Sequence, residues 1–154
     1  MTSKERVLKR EYDRGRMAAM EVQERSPNMN GTELYAADDR IPRFKEAVKQ
    51  KNMKDRHAGK EDGYVCKSSA GRVVRLIQNY DSTVWTGEPE ELPAQWAFVW
   101  SDDPAKALPF VAISTSPYMK GNCCTENNIV YRSKIDNNVH APSAWPEGWD
   151  EVTV

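Results

Sequence analysis

The chemistry that this chain offers is aromatic rather than acid–base. All five tryptophans lie in the second part of the 154-residue chain, at positions 85, 96, 100, 145 and 149. Trp85 is followed by Thr and Gly, and Trp145 stands between two prolines. Turn-rich surroundings favour exposure, so we expect both rings to contact either a ligand or a partner chain. Trp96 and Trp149 are instead expected to fill a small core.

No pattern typical of catalysis or metal binding is present. The adjacent carboxylates Asp102–Asp103 and Glu90–Glu91 are typical of solvated loops, and His57 lies far from the second histidine in sequence. Cys123 and Cys124 alternate across a strand and fit the interpretation of small buried hydrophobes. Gly-rich phosphate loops and His-Glu-x-x-His or Cys-x-x-Cys motifs do not occur. We therefore expect a non-enzymatic protein with no cofactor and no metal, and we disfavour a small cell-wall hydrolase.

Charge and hydropathy exclude several classes of protein. The net charge is −1, which argues against a nucleic-acid binder, and the mean hydropathy is −0.77. No stretch approaches the 18 apolar residues of a membrane span. The first twenty residues are charged throughout, so we expect synthesis in the cytoplasm without a signal peptide.

The first part of the chain has the pattern of helices. Residues 1–62 contain 15 Lys and Arg against 12 Asp and Glu, whereas residues 63–154 contain 7 against 11. Residues 3–25 are rich in helix formers, with Ser3 as the expected N-cap, and their thin apolar stripe fits either a solvated helix or an oligomerising helix. A second helix is predicted over 38–54, capped by Asp38 or Asp39. We interpret 1–62 as a helical attachment segment.

From Tyr64 onward the apolar pattern changes to period two. Short strands are predicted at 64–67, 72–78, 95–100, 110–114, 122–125, 129–135 and 151–154, with prolines between them. The predicted fold class is therefore α+β, in which a helical N-terminal segment precedes a small antiparallel all-β region.

The β region contains an internal repeat. Residues 81–85 (D-S-T-V-W) resemble 136–140 (D-N-N-V-H), and 89–96 share a Pro-x-x-x-Pro-x-x-Trp pattern with 142–149. Upstream, Val74 and Leu76 align with Ile129 and Tyr131. We divide the region into a divergent first repeat with a connector, 63–115, and a second repeat, 116–154.

Residues 117–152 resemble the small carbohydrate-binding modules of families 5 and 12, which are chitin-binding modules. The resemblance rests on Tyr118-x-x-Gly121-Asn122, on Asn127-Asn128-Ile-Val-Tyr131, and on the loop 138–142 with Pro146-x-x-Trp149. Residues 63–99 look like a more divergent copy. The run Y-R-S-K-I-D-N-N-V at 131–139 is similar to variants of the module carried by bacteriophage and prophage tail proteins.

The resemblance implies binding without catalysis, by stacking of aromatic rings on acetylamino sugars. It places Tyr118, Tyr131, His140 and Trp145 near the binding face, together with Trp85 from the first copy. His140 stands where chitin-binding members usually carry Trp, and imidazole offers less area for stacking than indole.

Two functions follow as expectations. The first is a phage or prophage tail component, in the baseplate or a fibre, that recognises a host cell-surface glycan and is located in the virion. The alternative is a purely structural virion or adaptor protein that uses the same modules for contacts with other tail or baseplate proteins. Homo-oligomer formation is compatible with both.

Overall fold

A long N-terminal helix begins the chain. The computed structural model describes residues 2–153, apart from the side chains of residues 11 and 12. Helix α1 spans Ser3–Arg25, as predicted, but its N-cap is Thr2 rather than Ser3. The Thr2 hydroxyl accepts the Glu5 N–H at 3.1 Å, and the Glu5 carboxylate accepts the Thr2 N–H at 2.7 Å. This reciprocal capping box satisfies two backbone donors at once, whereas a cap at Ser3 would place Arg6 at N3, and a guanidinium cannot accept the returning hydrogen bond.

Only the C-terminal end of α1 is attached to the rest of the molecule. Val22 is buried, and the Gln23 side-chain amide makes two hydrogen bonds with the backbone of Val65, at 2.6 and 2.9 Å. The guanidinium of Arg75 is buried and donates to both the hydroxyl and the carbonyl of Ser26, at 3.2 and 2.9 Å. Residues 3–10 and 13–17 are exposed, so the first half of α1 extends away from the body.

The second predicted helix is shorter than expected. Helix α2 spans Gly31–Ala36, which the sequence did not predict, and α3 spans only Phe44–Gln50 within the predicted 38–54. Asp38 and Asp39 lie in a separate 3-10 turn, Asp38–Arg40, and do not cap α3. Ile41 precedes a proline and is therefore disfavoured in the helical region, and it is extended, with φ −91° and ψ 127°.

The first sheet is a three-stranded antiparallel unit. It consists of β1 (Val65–Lys67), β2 (Val73–Leu76) and β3 (Trp96–Phe98), with β2 in the centre. All four residues of β2 are buried, because helices and loops cover both faces of this strand. The strand is shorter than the predicted 72–78, and β3 is shorter than the predicted 95–100.

The second sheet has four strands, β4 (Leu108–Pro109), β5 (Cys123–Glu126), β6 (Ile129–Ser133) and β7 (Trp149–Val152). The turn of the β5–β6 hairpin places Asn127 and Asn128 at φ 53° and 64°, a conformation that asparagine tolerates well. Strand β4 pairs parallel to β5 over two residues, and every other pair is antiparallel. The observed architecture confirms the predicted α+β class, with helices ahead of antiparallel sheets.

The predicted strand at 110–114 is wrong, because this segment is an irregular loop. Its apolar residues are buried individually rather than on one face of a sheet. The ring of Phe110 stacks on Tyr118, with 5.3 Å between ring centroids, and Ile113 is buried in the core. Side chains that pack one at a time mimic a strand pattern in the sequence without a neighbouring strand to pair with.

The two sheets have matching hydrogen-bond patterns. Trp96 lies opposite Leu76, the last residue of β2, and Trp149 lies opposite Ser133, the last residue of β6. The residue after each of these strands also makes an equivalent hydrogen bond. The N–H of Ile77 donates to the carbonyl of Gln95 at 2.8 Å, and the N–H of Lys134 donates to the carbonyl of Gly148 at 2.9 Å.

This correspondence corrects the alignment of the central strands by two residues. In the structure Val74 is equivalent to Tyr131, whereas the sequence comparison aligned Val74 with Ile129. Parity along the strands is kept, since a shift of two residues leaves each side chain on the same face.

One hydrophobic core runs through both sheets. It includes Phe44 of α3, Leu76 and Trp96 of the first sheet, and Cys124 and Trp149 of the second. Trp96 and Trp149 are buried, as predicted. The boundary at residue 115 does not coincide with the division between the sheets, because β4 precedes it and pairs with β5, and the two sheets share a core. No described helix has both the length and the apolar composition needed to cross a bilayer.

Candidate functional site

Tyr118 does not lie on an exposed binding face, contrary to the prediction. Only 1% of the residue is exposed. Its ring stacks on Trp100 with 4.2 Å between centroids and an interplanar angle of 14°, and it meets the edge of Trp149 at 5.5 Å. Burial raises the pKa of its hydroxyl. Tyr118 is therefore a core residue. Trp100, which lies in the connector before the second repeat, covers a ring that would be exposed in an isolated module.

His140 and Trp145 form an aromatic pair at the surface of the second sheet. Their ring centroids are 5.5 Å apart with an interplanar angle of 78°. His140 is exposed and Trp145 is half-buried. The indole of Trp149 lies beneath this loop and donates its N–H to the carbonyl of His140 at 2.8 Å. The core tryptophan thus fixes the backbone of the residue expected to contact a ligand.

Asn138 organises the loop that carries the pair. Its backbone pairs with Tyr118 in both directions, at 2.7 and 2.9 Å. Its side-chain amide donates to the Ser133 hydroxyl at 3.0 Å, and its side-chain carbonyl accepts the N–H of His140 at 3.1 Å. Asn138 is fully buried with these partners satisfied. Sequence reasoning did not assign it a role, although the D-N-N run of the repeat contains it.

The indole ring of Trp145 packs directly against Gly148. A Cβ at this position would lie 2.5 Å from Cε3 and 2.7 Å from Cζ3 of the indole. Only glycine permits this approach of ring to backbone. On the far side, the loop is tied to β5 by the N–H of Ser143, which donates to the Glu126 carboxylate at 2.8 Å. These contacts hold the loop that carries the His140–Trp145 pair.

Tyr131 lies on the same face of β6 as Trp149 and Cys124. It pairs with Cys124 and Glu151 across the strands, and Trp149 pairs with Ser133, two residues further along β6. Tyr131 is half-buried and packs against the core. Its ring therefore has a structural role and leaves only part of its surface for a ligand.

Trp85 is exposed as predicted, with 60% of its surface accessible. Its neighbour Val84 is 66% exposed. The N–H of Trp85 donates to the carbonyl of Asp81 at 3.0 Å, so Trp85 closes a tight turn that carries Val84. We refer to residues 81–85 as the Trp85 loop.

The Trp85 loop is held by the carboxylate of Asp81. This carboxylate accepts the Thr83 hydroxyl at 2.6 Å, the Thr83 N–H at 3.0 Å and the Asn52 side-chain amide at 2.9 Å. The hydrogen bonds from Thr83 and Asn52 lower the pKa of Asp81 to about 2. An exposed indole on an anchored turn loses little conformational freedom when it binds.

The structure thus presents two aromatic surfaces. Trp85 lies in a loop of the first sheet, and the His140–Trp145 pair lies in a loop of the second sheet. Among the described residues, no ring contact joins Trp85 to the other predicted site residues. Within the same part of the chain, no group of three His, Cys, Asp or Glu residues is placed to hold a metal.

The three cysteines are free and buried. Burial raises the pKa of Cys66 and Cys123, and raises that of Cys124 to about 12. A thiol with a raised pKa is a poor nucleophile, so the core interpretation of these residues fits their surroundings.

No family model, curated protein or solved structure matches the chain.

Proposed function

We propose that this chain is a non-enzymatic binding protein that recognises a cell-surface glycan by stacking sugar rings on Trp85 and on the His140–Trp145 pair. The observation that carries the proposal is the 60% exposure of Trp85 on a turn anchored by Asp81 and Asn52. Leaving an indole in water is unfavourable, and covering its flat apolar face recovers part of that free energy. The C–H face of a pyranose ring is a suitable partner for such a surface.

The second surface supports the same function with a different geometry. His140 and Trp145 are nearly perpendicular, so a sugar stacked on the indole has the imidazole edge beside it. Imidazole N–H and N atoms can hydrogen-bond the substituents of the sugar, which an indole at this position would do less well. We expect a ligand other than unmodified chitin for this reason.

The resemblance of residues 117–152 to modules of phage tail proteins supports a place in a phage or prophage tail. Each aromatic surface is small, so a single site is expected to be weak. Many copies in one assembly would raise the effective affinity by orders of magnitude without new contacts. Tail genes on both sides of the coding sequence would support this context, and a neighbourhood without virion genes would contradict it.

The test is binding to immobilised glycans. We expect wild-type protein to be retained on a bacterial-surface glycan array or an insoluble polysaccharide. Trp85→Ala and Trp145→Ala should each weaken retention, and the double variant should abolish it. Met119→Ala, which removes an exposed apolar side chain outside both aromatic surfaces and outside α1, is the matched control and should bind as wild type. No retention of wild type, or unchanged retention of the double variant, would refute sugar recognition.

Contacts between proteins are the second candidate function. Four apolar side chains of α1 are exposed, Val7, Leu8, Met17 and Met20. They lie on a helix that the body contacts only near its C-terminal end, which fits attachment to other subunits. Light scattering should then report an assembly that Leu8→Ser and Met17→Ser together reduce to monomers. A wild-type monomer at all concentrations would remove self-association from this candidate function.

A further inference from the structure

A cavity of about 790 Å³ lies between α3, the β1–β2 turn and residues 105–108. Five cationic residues line it, Arg43, Lys45, Lys49, Lys67 and Lys106, against two carboxylates, Asp38 and Glu46. We call this cavity the basic cleft. Its wall also contains Ala105, Ala107 and Leu108, so an apolar surface adjoins the charges. Five cations against two carboxylates give the lining a formal charge of +3, whereas the whole chain carries −1.

Like charges are neighbours in the basic cleft. Lys45 and Lys49 are four residues apart on α3, a spacing at which two positive charges repel. Arg43 lies directly opposite Lys67 in a parallel bridge. The Lys67 N–H donates to the carbonyl of Pro42 at 2.8 Å, so the backbone fixes this juxtaposition.

The carboxylates of the cleft do not neutralise these charges. Lys106 pairs with Asp38 at 3.4 Å. Within the described part of the chain, no carboxylate lies within 4.0 Å of the charged groups of Arg43, Lys45, Lys49 or Lys67. Four cations therefore surround one cavity without acidic partners. A multivalent anion would stabilise this arrangement.

We propose that the basic cleft binds a small molecule that carries two or more phosphate groups. Arginine and lysine are the side chains that bind phosphate in proteins, arginine through a planar fork and lysine as a point charge. The volume falls in the range of about 300–1,000 Å³ typical of small-ligand sites, which favours a compact ligand over a polymer. Ala105, Ala107 and Leu108 supply an apolar surface for the organic part of the ligand.

Sequence reasoning missed this site because its cations come from distant segments. The lysines of 38–54 belong to a segment predicted only as a helix, and nothing local connects them to Lys67 or Lys106. The extended Ile41–Pro42 segment places Arg43 beside β1, and the turn at 104–106 brings Lys106 to the opposite wall.

The probe for the test is tripolyphosphate, titrated calorimetrically into the full chain at 0.15 M salt, where interactions between separated surface charges are largely screened. We expect saturable one-to-one binding. Lys45→Gln with Lys49→Gln should weaken it at least tenfold. Lys51→Gln with Lys60→Gln removes the same charge from exposed positions outside the cleft and should change the affinity less than twofold.

The source of the phosphate is resolved by two further titrations, with a nucleoside diphosphate and with a hexose bisphosphate. Tighter binding of either, competed by tripolyphosphate and weakened by the Lys45/Lys49 variant, supports the proposal and identifies the organic part. No saturable binding of tripolyphosphate would overturn it. An equal loss of affinity in the two double variants would also overturn it. So would binding of single-stranded RNA that grows with RNA length and that tripolyphosphate does not displace.

Discussion

Trp149 supports His140 through a hydrogen bond from the indole N–H to the backbone carbonyl, 2.8 Å long. Trp149→Phe keeps an aromatic ring in the core but leaves this carbonyl without its donor. We expect the unfolding free energy to fall by about 1–3 kcal/mol, because a partly buried hydrogen bond is lost and the smaller ring leaves space in the core. Urea unfolding followed by far-UV circular dichroism measures this loss, and an unchanged midpoint would show that the bond contributes nothing.

Gly148 and Gly15 should respond to alanine in opposite directions. A Cβ at Gly148 would collide with the ring of Trp145, so Gly148→Ala should destabilise the fold by about 1–3 kcal/mol and displace the ring. No heavy atom lies within 4 Å of a Cβ at Gly15, in the middle of α1. Gly15→Ala should therefore raise helix stability by about 1 kcal/mol. Denaturation curves of both variants, with Trp fluorescence for the ring position, test the pair.

The Trp85 loop should lose its anchor in acid. The pKa of Asp81 is about 2 in the folded chain and 3.8 without its hydrogen bonds, so its stabilising contribution is complete above pH 3.8 and is lost as the pH falls through about 2. The difference in melting temperature between wild type and Asp81→Ala should be constant from pH 7 to pH 5 and should shrink below pH 3.8. A difference in melting temperature that persists undiminished at pH 1.5 would show that the ionised Asp81 carboxylate is not what anchors the loop.

Cys66 and Cys124 occupy equivalent positions in the two sheets, opposite Val74 and Tyr131. With a pKa of about 12, only about one Cys124 thiol in ten thousand is ionised at pH 8, and Cys66 is more strongly shifted. We expect iodoacetamide to label both residues slowly in the native protein and rapidly in urea, as followed by mass spectrometry. Fast labelling of native Cys124 would show that the second sheet opens locally.

The sequence by itself determined α1 and the change from helices to sheets. Helix formers and a reciprocal cap specify α1, and the change to period two at Tyr64 marks the start of the sheets. The burial of Trp96 and Trp149 was also predictable, because a small β unit has few other residues large enough to fill it. Helix periodicity, capping and strand alternation depend on residues close together in the chain, and their patterns can therefore be read directly.

Only the tertiary structure decided which rings face solvent and which charges meet. Tyr118 is sealed by Trp100 and Phe110, which come from a connector that the repeat pattern did not include. Arg43 and Lys67 become neighbours through a bridge between segments more than twenty residues apart. Exposure and charge clustering depend on contacts between distant segments, and these contacts are set by packing the whole core, so no local pattern records them.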